Sequence, residues 1–273
     1  MRILSLLGKK LLLRWGMLIV LLPLSLFTLT AQGSYDIKMQ LQAGDRLYIK
    51  KVDKSISKTE VPLLGDQVVT VVATYQLKTS VLAKKGENFL IQCDVTKVDL
   101  DVQGSKNASK KAFDAVVELI RPNEIVKKSI QVEVDPYFRL AGTIKEKGTN
   151  ANTPVAKRIF TMVSDILRPT YAGRTVAPGE VWSDREESGN LIHSHISEVA
   201  GSEAILEGTI AVCENGKNLK NKGTGTFDSR VDLHKGILRS SHSSYQTKGK
   251  VRVMLFNLDF SSSRQISTQV LLK

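Results

Sequence analysis

Cysteine is nearly absent from this chain: Cys93 and Cys213 are the only two among its 273 residues. No C-x-x-C pair exists, so thioredoxin-type redox chemistry and zinc knuckles lack their spacing. There is no G-x-S-x-G elbow to activate a serine. GTGTFDS (223–229) is glycine-rich but does not lead into a helix, so it is no phosphate loop; glycines in such a stretch serve a tight turn or a close approach of strands. Acidic residues number 27 against 39 Lys and Arg, and no pair of them is set apart in apolar surroundings for acid–base work. No catalytic or cofactor-binding residue is nominated, and no cofactor is expected.

One stretch lacks charge altogether. Trp15 to Tyr35 holds no ionised side chain, and its most apolar part is MLIVLLPLSLF at 17–27. Arg2, Lys9, Lys10 and Arg14 precede it, and small residues in TLTAQGS follow it. Basic, apolar and small-residue regions in that order form a secretory signal, with cleavage after Ala31 or after Gly33. The rival reading is an uncleaved anchor. A spanning helix wants about 20 apolar residues, whereas this apolar core is shorter and carries Pro23. The expected location is exported, whether periplasmic, outer-membrane-associated or secreted, with membrane contact only if the segment is retained. The rest of the chain is still basic, but its lysines are scattered. Such charge bears on solubility and on attraction to anionic surfaces, and no nucleic-acid partner is expected.

An oxidising compartment permits a disulfide between Cys93 and Cys213, provided that their Cα atoms lie within roughly 4.4–6.8 Å. Both sit in strand-like stretches, NFLIQCDV and TIAVCENG, where buried free thiols are the other reading. The chain is long enough to build a core without a bridge.

What is present in abundance is period-two alternation, the mark of half-buried strands. Ile37, Met39 and Leu41 alternate ahead of a Gly44-Asp45 break. Phe89, Ile91, Cys93 and Val95 share a parity that switches to Val98, Leu100 and Val102, which implies a bulge near Thr96-Lys97. KKSIQVEVDPYFRLAGTIK implies a hairpin about Asp135-Pro136, and the terminal ISTQVLL implies a paired strand. AFDAVVELI (112–120), after the polar loop 104–111, fits helix or strand equally. One helix is well signalled over 153–167. Thr153 is placed to cap it and Pro154 to begin it, Val155, Ile159, Met162, Val163 and Ile166 form its apolar stripe, and Pro169 ends it.

The expected fold is therefore mainly β: an antiparallel curved sheet or half-barrel with one amphipathic helix to cover it. The chain divides into a signal (1–33), an N-terminal β half (34–150), a helix and linker (151–170) and a C-terminal β half (171–273), the halves coupled. Three echoes in the same order suggest a degenerate duplication. LQAGDRLY (41–48) matches TVAPGEVW (175–182), KKGENFLIQCDV matches EVAGSEAILEGTI, and VDPYFRL matches VDLHKGILR.

The helix followed by RPTYAGRTVAPGEVWSD, with Val176, Gly179, Glu180 and Trp182, resembles a pattern in a family of uncharacterised secreted proteins and lipoproteins common in Bacteroidetes. The resemblance implies an antiparallel β domain and brings no activity or site residues. This chain lacks the lipobox cysteine that many members carry. At fold level it is similar to half-barrel carriers that hold lipid in a curved sheet, an analogy that speaks to fold before function.

Two functions follow from these features. The first is a non-enzymatic, exported binding or structural protein of the envelope that holds a lipid-like ligand or a protein partner; it calls for an apolar groove between sheet and helix. The alternative is an envelope hydrolase or metal-dependent enzyme built on His193 and His195, which share one face of a strand. Glu198, His234 and His242 are the residue types available to complete that metal site.

Overall fold

Inner-face residues of the alternating segments pack against one helix, and this organises the chain. A computed structural model describes residues 33–61, 65–104, 122–148, 151–186, 189–215, 219–253 and 256–273. The signal segment with its cut after Ala31, the polar loop 105–111 and AFDAVVELI lie outside the described residues. Tyr35–Lys273 forms one unit.

The described residues form a single antiparallel sheet of eleven strands. These are β1 (Arg46–Val61), β2 (Gly65–Lys85), β3 (Asn88–Gly104), β4 (Ser129–Val134), β5 (Lys145–Glu146), β6 (Trp182–Arg185), β7 (Leu191–Ala200), β8 (Glu203–Asn215), β9 (Leu219–Asp232), β10 (Ile237–Val253) and β11 (Phe256–Leu272). Helix α1 (Pro122–Ile125) is one turn, and α2 (Pro154–Leu167) lies between β5 and β6 in the chain. The spatial order is β5-β4-β3-β2-β1-β11-β10-β9-β8-β7-β6. The chain thus starts mid-sheet, steps outward to one edge, crosses by α2 to the other edge and steps back to the middle. The terminal strand β11 pairs with β1, from Leu47–Leu272 to Thr59–Phe260.

Helix α2 is capped as its sequence implies. The Thr153 hydroxyl accepts the Ala156 N–H at 3.0 Å and donates to Glu146 Oε2 at 2.6 Å, while Glu146 Oε1 accepts Lys128 Nζ at 2.9 Å. The buried stripe is rotated from the expected one. Ala156, Ile159, Phe160, Val163, Ser164, Ile166 and Leu167 are buried, whereas Val155 and Met162 are only partly so. Phe160 draws the helix round by stacking on Phe138 with ring centres 6.4 Å apart.

Two expectations on strands are corrected. Ile37, Met39 and Leu41 alternate and are buried, but their segment is a strap and not a sheet strand. Only Tyr35 makes a bridge, to Val176. Met39 N–H donates to Pro136 O at 2.8 Å and Gln40 N–H to Lys235 O at 2.9 Å, so the strap ties the two halves together beneath the sheet. The hairpin at Asp135-Pro136 turns through Asp135 Oδ1, which accepts the Tyr137 and Arg139 N–H groups, yet the returning chain makes only the Val134–Leu140 bridge before β5.

The ladder registers of the two halves follow the same pattern. Across β1–β4 the partners run Leu47–Thr79–Cys93–Ile130; across β6–β9 they run Trp182–Ser194–Gly208–Phe227. The neighbouring row repeats as Ile49–Leu77–Val95 and Asp184–Ile192–Ile210. Bulges fall at Val81/Ala83 and at Ile196/Glu198, and the turns beyond them carry Gly86 and Gly201, both at φ 61°. The two Gly-acidic steps are one motif. Gly44 N–H donates to Val81 O and Gly179 N–H to Ile196 O. The Asp45 and Glu180 carboxylates accept the N–H three residues earlier, at 2.9 and 3.0 Å.

Replacing Thr153 by alanine removes both the cap and the tie to Glu146. A loss of about 1–2 kcal/mol is expected, read as a lower urea midpoint at constant slope; an unchanged midpoint would contradict this role for the cap.

Candidate functional site

Strand parity carries the inner face from a packed base to an open groove. On β1, Leu47 and Ile49 are buried in the main core; two and four residues on, Lys51 and Asp53 line a cavity with Ser55 and Ser57. On β11 the same passage runs from Val270 to Thr268, Ile266, Arg264 and Ser262. The cavity measures about 500 Å³ and takes its walls from Val71 and Ala73 of β2 as well as Ile192 of β7. Those strands are separated by β1, β11, β10, β9 and β8, so the sheet must curl to bring them to one space. Asp165, Ile166, Pro169 and Thr170, at the end of α2 and just after it, close the base side.

Glycines opposite aromatics help the sheet to bend. Gly208 pairs with Phe227, Gly225 with Tyr245 and Gly249 with Phe260. A Cβ on Gly208 would stand 2.4 Å from the Phe227 ring and one on Gly225 2.2 Å from Tyr245 Cβ. The rings thus lie across glycine backbone on the inner face, a pairing that lets a sheet curve while keeping the glycine covered. The glycines of GTGTFDS are here for close strand approach.

The floor is amphipathic where an apolar groove is expected. Ile192, Ile210, Val212, Phe227 and Ile266 supply apolar surface beside Ser241, Ser243 and Ser262. Arg264 donates from Nε to Asp53 Oδ1 at 2.7 Å and from Nη2 to Asp53 Oδ2 at 2.5 Å, a two-pronged bond across β1 and β11. Its guanidinium also lies 5.6 Å from the centre of the Tyr245 ring. Burial raises the Tyr245 and Tyr75 phenols, so both remain neutral donors at pH 7. Burial lowers the Lys51 ammonium below the ordinary lysine range, with the Asp53 carboxylate opposing that shift.

The residues singled out from sequence lie elsewhere. His193 and His195 do share a face, but it is the outer one, since Ile192, Ser194 and Ile196 of β7 are the buried set. His193 Nδ1 lies 2.7 Å from Ser183 Oγ. Glu198, His234 and His242 are exposed, and among the described residues no three His, Cys, Asp or Glu gather to hold a metal ion. Cys93 is a buried free thiol. It receives the Thr79 hydroxyl at 3.7 Å, and its strand is separated from that of Cys213 by β2, β1, β11, β10 and β9. Burial pushes the Cys93 thiol up to about 12. Among the described residues no helix is long and apolar enough to cross a membrane.

No family model matches the sequence, and no curated protein matches it. Among solved structures, one of lipovitellin described for its lipid–protein interactions is similar at a TM-score of 0.51 and 12% identity. The likeness covers 86% of this chain, which spans 26% of that one. An outer membrane channel from Pseudomonas putida F1 aligns over 86% of this chain and 98% of its own at a TM-score of 0.22 and 6% identity. The lipovitellin likeness is one of fold, an antiparallel sheet; the channel likeness is too low to carry an argument.

Two measurements check this description. Gly225→Val should cost about 1–3 kcal/mol by crowding Tyr245 and the neighbouring backbone; a variant as stable as the parent would refute the close approach. Iodoacetamide at pH 8 should leave Cys93 unmodified in the native protein and alkylate it in urea, because a buried thiol with so high a pKa offers almost no thiolate. Rapid labelling of native Cys93 would contradict its burial.

Proposed function

We propose that this chain is an exported protein of the cell envelope that binds one lipid-like molecule in the groove of its curved sheet. The observation that carries this reading is the cavity of about 500 Å³ on the inner face, with apolar and polar side chains side by side. That volume falls within the ~300–1,000 Å³ of small-molecule pockets. It suits a single amphiphile and is too small for a store of many. Packing supports the division of labour: α2 and the strap fill the base of the inner face, and the groove above sets a small apolar cluster of Ile192, Ile210, Val212 and Tyr245 beside the Asp53–Arg264 pair.

The fold likeness to lipovitellin, a protein described for its lipid–protein interactions, supports the lipid-like class. Export is supported by the N-terminal signal pattern, whose cleavage candidates after Ala31 and Gly33 fall just before the unit Tyr35–Lys273. Kinship with the secreted family that resembles this chain rests on Gly179, Glu180 and Trp182, where the step has a structural purpose as the turn that opens the second repeat.

The test is binding of N-phenyl-1-naphthylamine, an uncharged apolar probe that brightens when water is excluded. Delipidated protein should bind it in a saturable 1:1 manner. Val71→Asp, which places a charge on the half-exposed groove wall, should weaken binding by about ten-fold or more while circular dichroism is unchanged. No saturable binding, or equal binding by the variant, would sink the reading.

A further inference from the structure

We propose that the ligand of this groove carries an anionic head group, a carboxylate or a phosphate monoester, seated head-first against the ammonium of Lys51; the inference rests on the lipid-binding reading above. Five charged side chains line the cavity: Lys51, Asp53, Asp165, Glu186 and Arg264. Both oxygens of Asp53 are taken by Arg264, and Asp165 and Glu186 each have interactions of their own. Lys51 stands apart. Among the described residues its ammonium has neither a hydrogen bond nor an ion pair, although it shares an inner face with Asp53 two residues on.

Lys51 is partly buried, and an ammonium with reduced hydration and no partner gains from an incoming anion. The fields of Asp53, Asp165 and Glu186 favour the charged form of Lys51, and Arg264 opposes it. Tyr75 and Thr268 are its ladder partners on β2 and β11 and line the same cavity, so two hydroxyl side chains of that row are available to a head group.

Register sets the orientation. Lys51 belongs to the row next to the packed base, with Thr268 and Ser241. The apolar residues Ile192, Ile210 and Val212 belong to rows farther along the strands, level with Arg264 and Ser262. A head group at Lys51 therefore sits deep, and the hydrocarbon runs outward over those side chains. Ser241 and Ser229 share the row of Lys51 and Ser243 lies in the next row, which keeps the head-group end wettable, as a purely hydrocarbon ligand would not require.

The experiment uses the full delipidated chain at pH 7.5 and displacement of N-phenyl-1-naphthylamine by hexadecanoate, hexadecyl phosphate and 1-hexadecanol, with inorganic phosphate as a fourth competitor. At least one of the two anions should bind about ten-fold or more tightly than the alcohol, and comparing the anions identifies the head group. Lys51→Gln should bring the anions to the level of the alcohol measured on the same variant, and Lys51→Arg should restore the preference. Equal binding of alcohol and anions, or no effect of Lys51→Gln, overturns the head-group assignment while the lipid reading survives. Inorganic phosphate as effective as hexadecyl phosphate overturns it in favour of a free-anion site. Failure of all three amphiphiles to bind overturns both readings.

Discussion

Everything in this structure hangs on the pairing of its first and last strands. β1 and β11 are far apart in the chain, yet they lie side by side mid-sheet along an uninterrupted ladder from Leu47–Leu272 to Thr59–Phe260. Without that ladder there would be two smaller meanders, β1–β5 and β6–β11, each with an unpaired edge. Joining them fixes the curvature, because α2 must then pass from one outer edge to the other. The Asp53–Arg264 bond spans this seam on the inner face, so the join is also the floor of the groove.

A second consequence follows from parity. Between bulges each strand presents alternate side chains inward, and along β1 and β11 that inward set changes from aliphatic to mixed polar. Where it is aliphatic, α2, the Phe138 turn and the strap of Ile37, Met39 and Leu41 complete a closed core. Where it becomes Lys51, Asp53, Ser55 and Ser57 on β1, opposite Thr268, Ile266, Arg264 and Ser262 on β11, no such cover is provided by the helix, and a groove results. The repeats contribute unequally. Cys93 of the first corresponds to Gly208 of the second, and Ile130 to Phe227, so one half packs conventionally while the other lays an aromatic over a glycine and bends.

Much of this was legible in the sequence, and the exceptions have physical causes. The bulge between the parities of Val95 and Val98 appears where the pairing skips Thr96, because a period-two pattern cannot change phase without an extra residue. The cap at Thr153 and the three repeat echoes were legible for the same reason: they are local chemistry. The strap misled because alternation reports burial on one side and is silent on hydrogen-bond partners. The groove residues were passed over because KKVDKSISK and RSSHSSYQ look like solvated strand, and only the shared parity of Lys51 with Leu47 and Ile49 marks them as inward. His193 and His195 show the converse: two residues on one strand face are necessary for a metal pair, but the face proved to be the outer one.

The central claim is that ligand enters the inner face of the curved sheet. Methyl-labelled isoleucine spectra recorded with a nitroxide-tagged C16 acyl chain test it most directly. Ile192, Ile210 and Ile266 line the groove, while Ile56 is exposed on β1 with parity opposite to Ser55 and Ser57. The account predicts stronger broadening of the first three methyl signals than of Ile56 at equimolar probe. Broadening of Ile56 with the groove methyls untouched would contradict it.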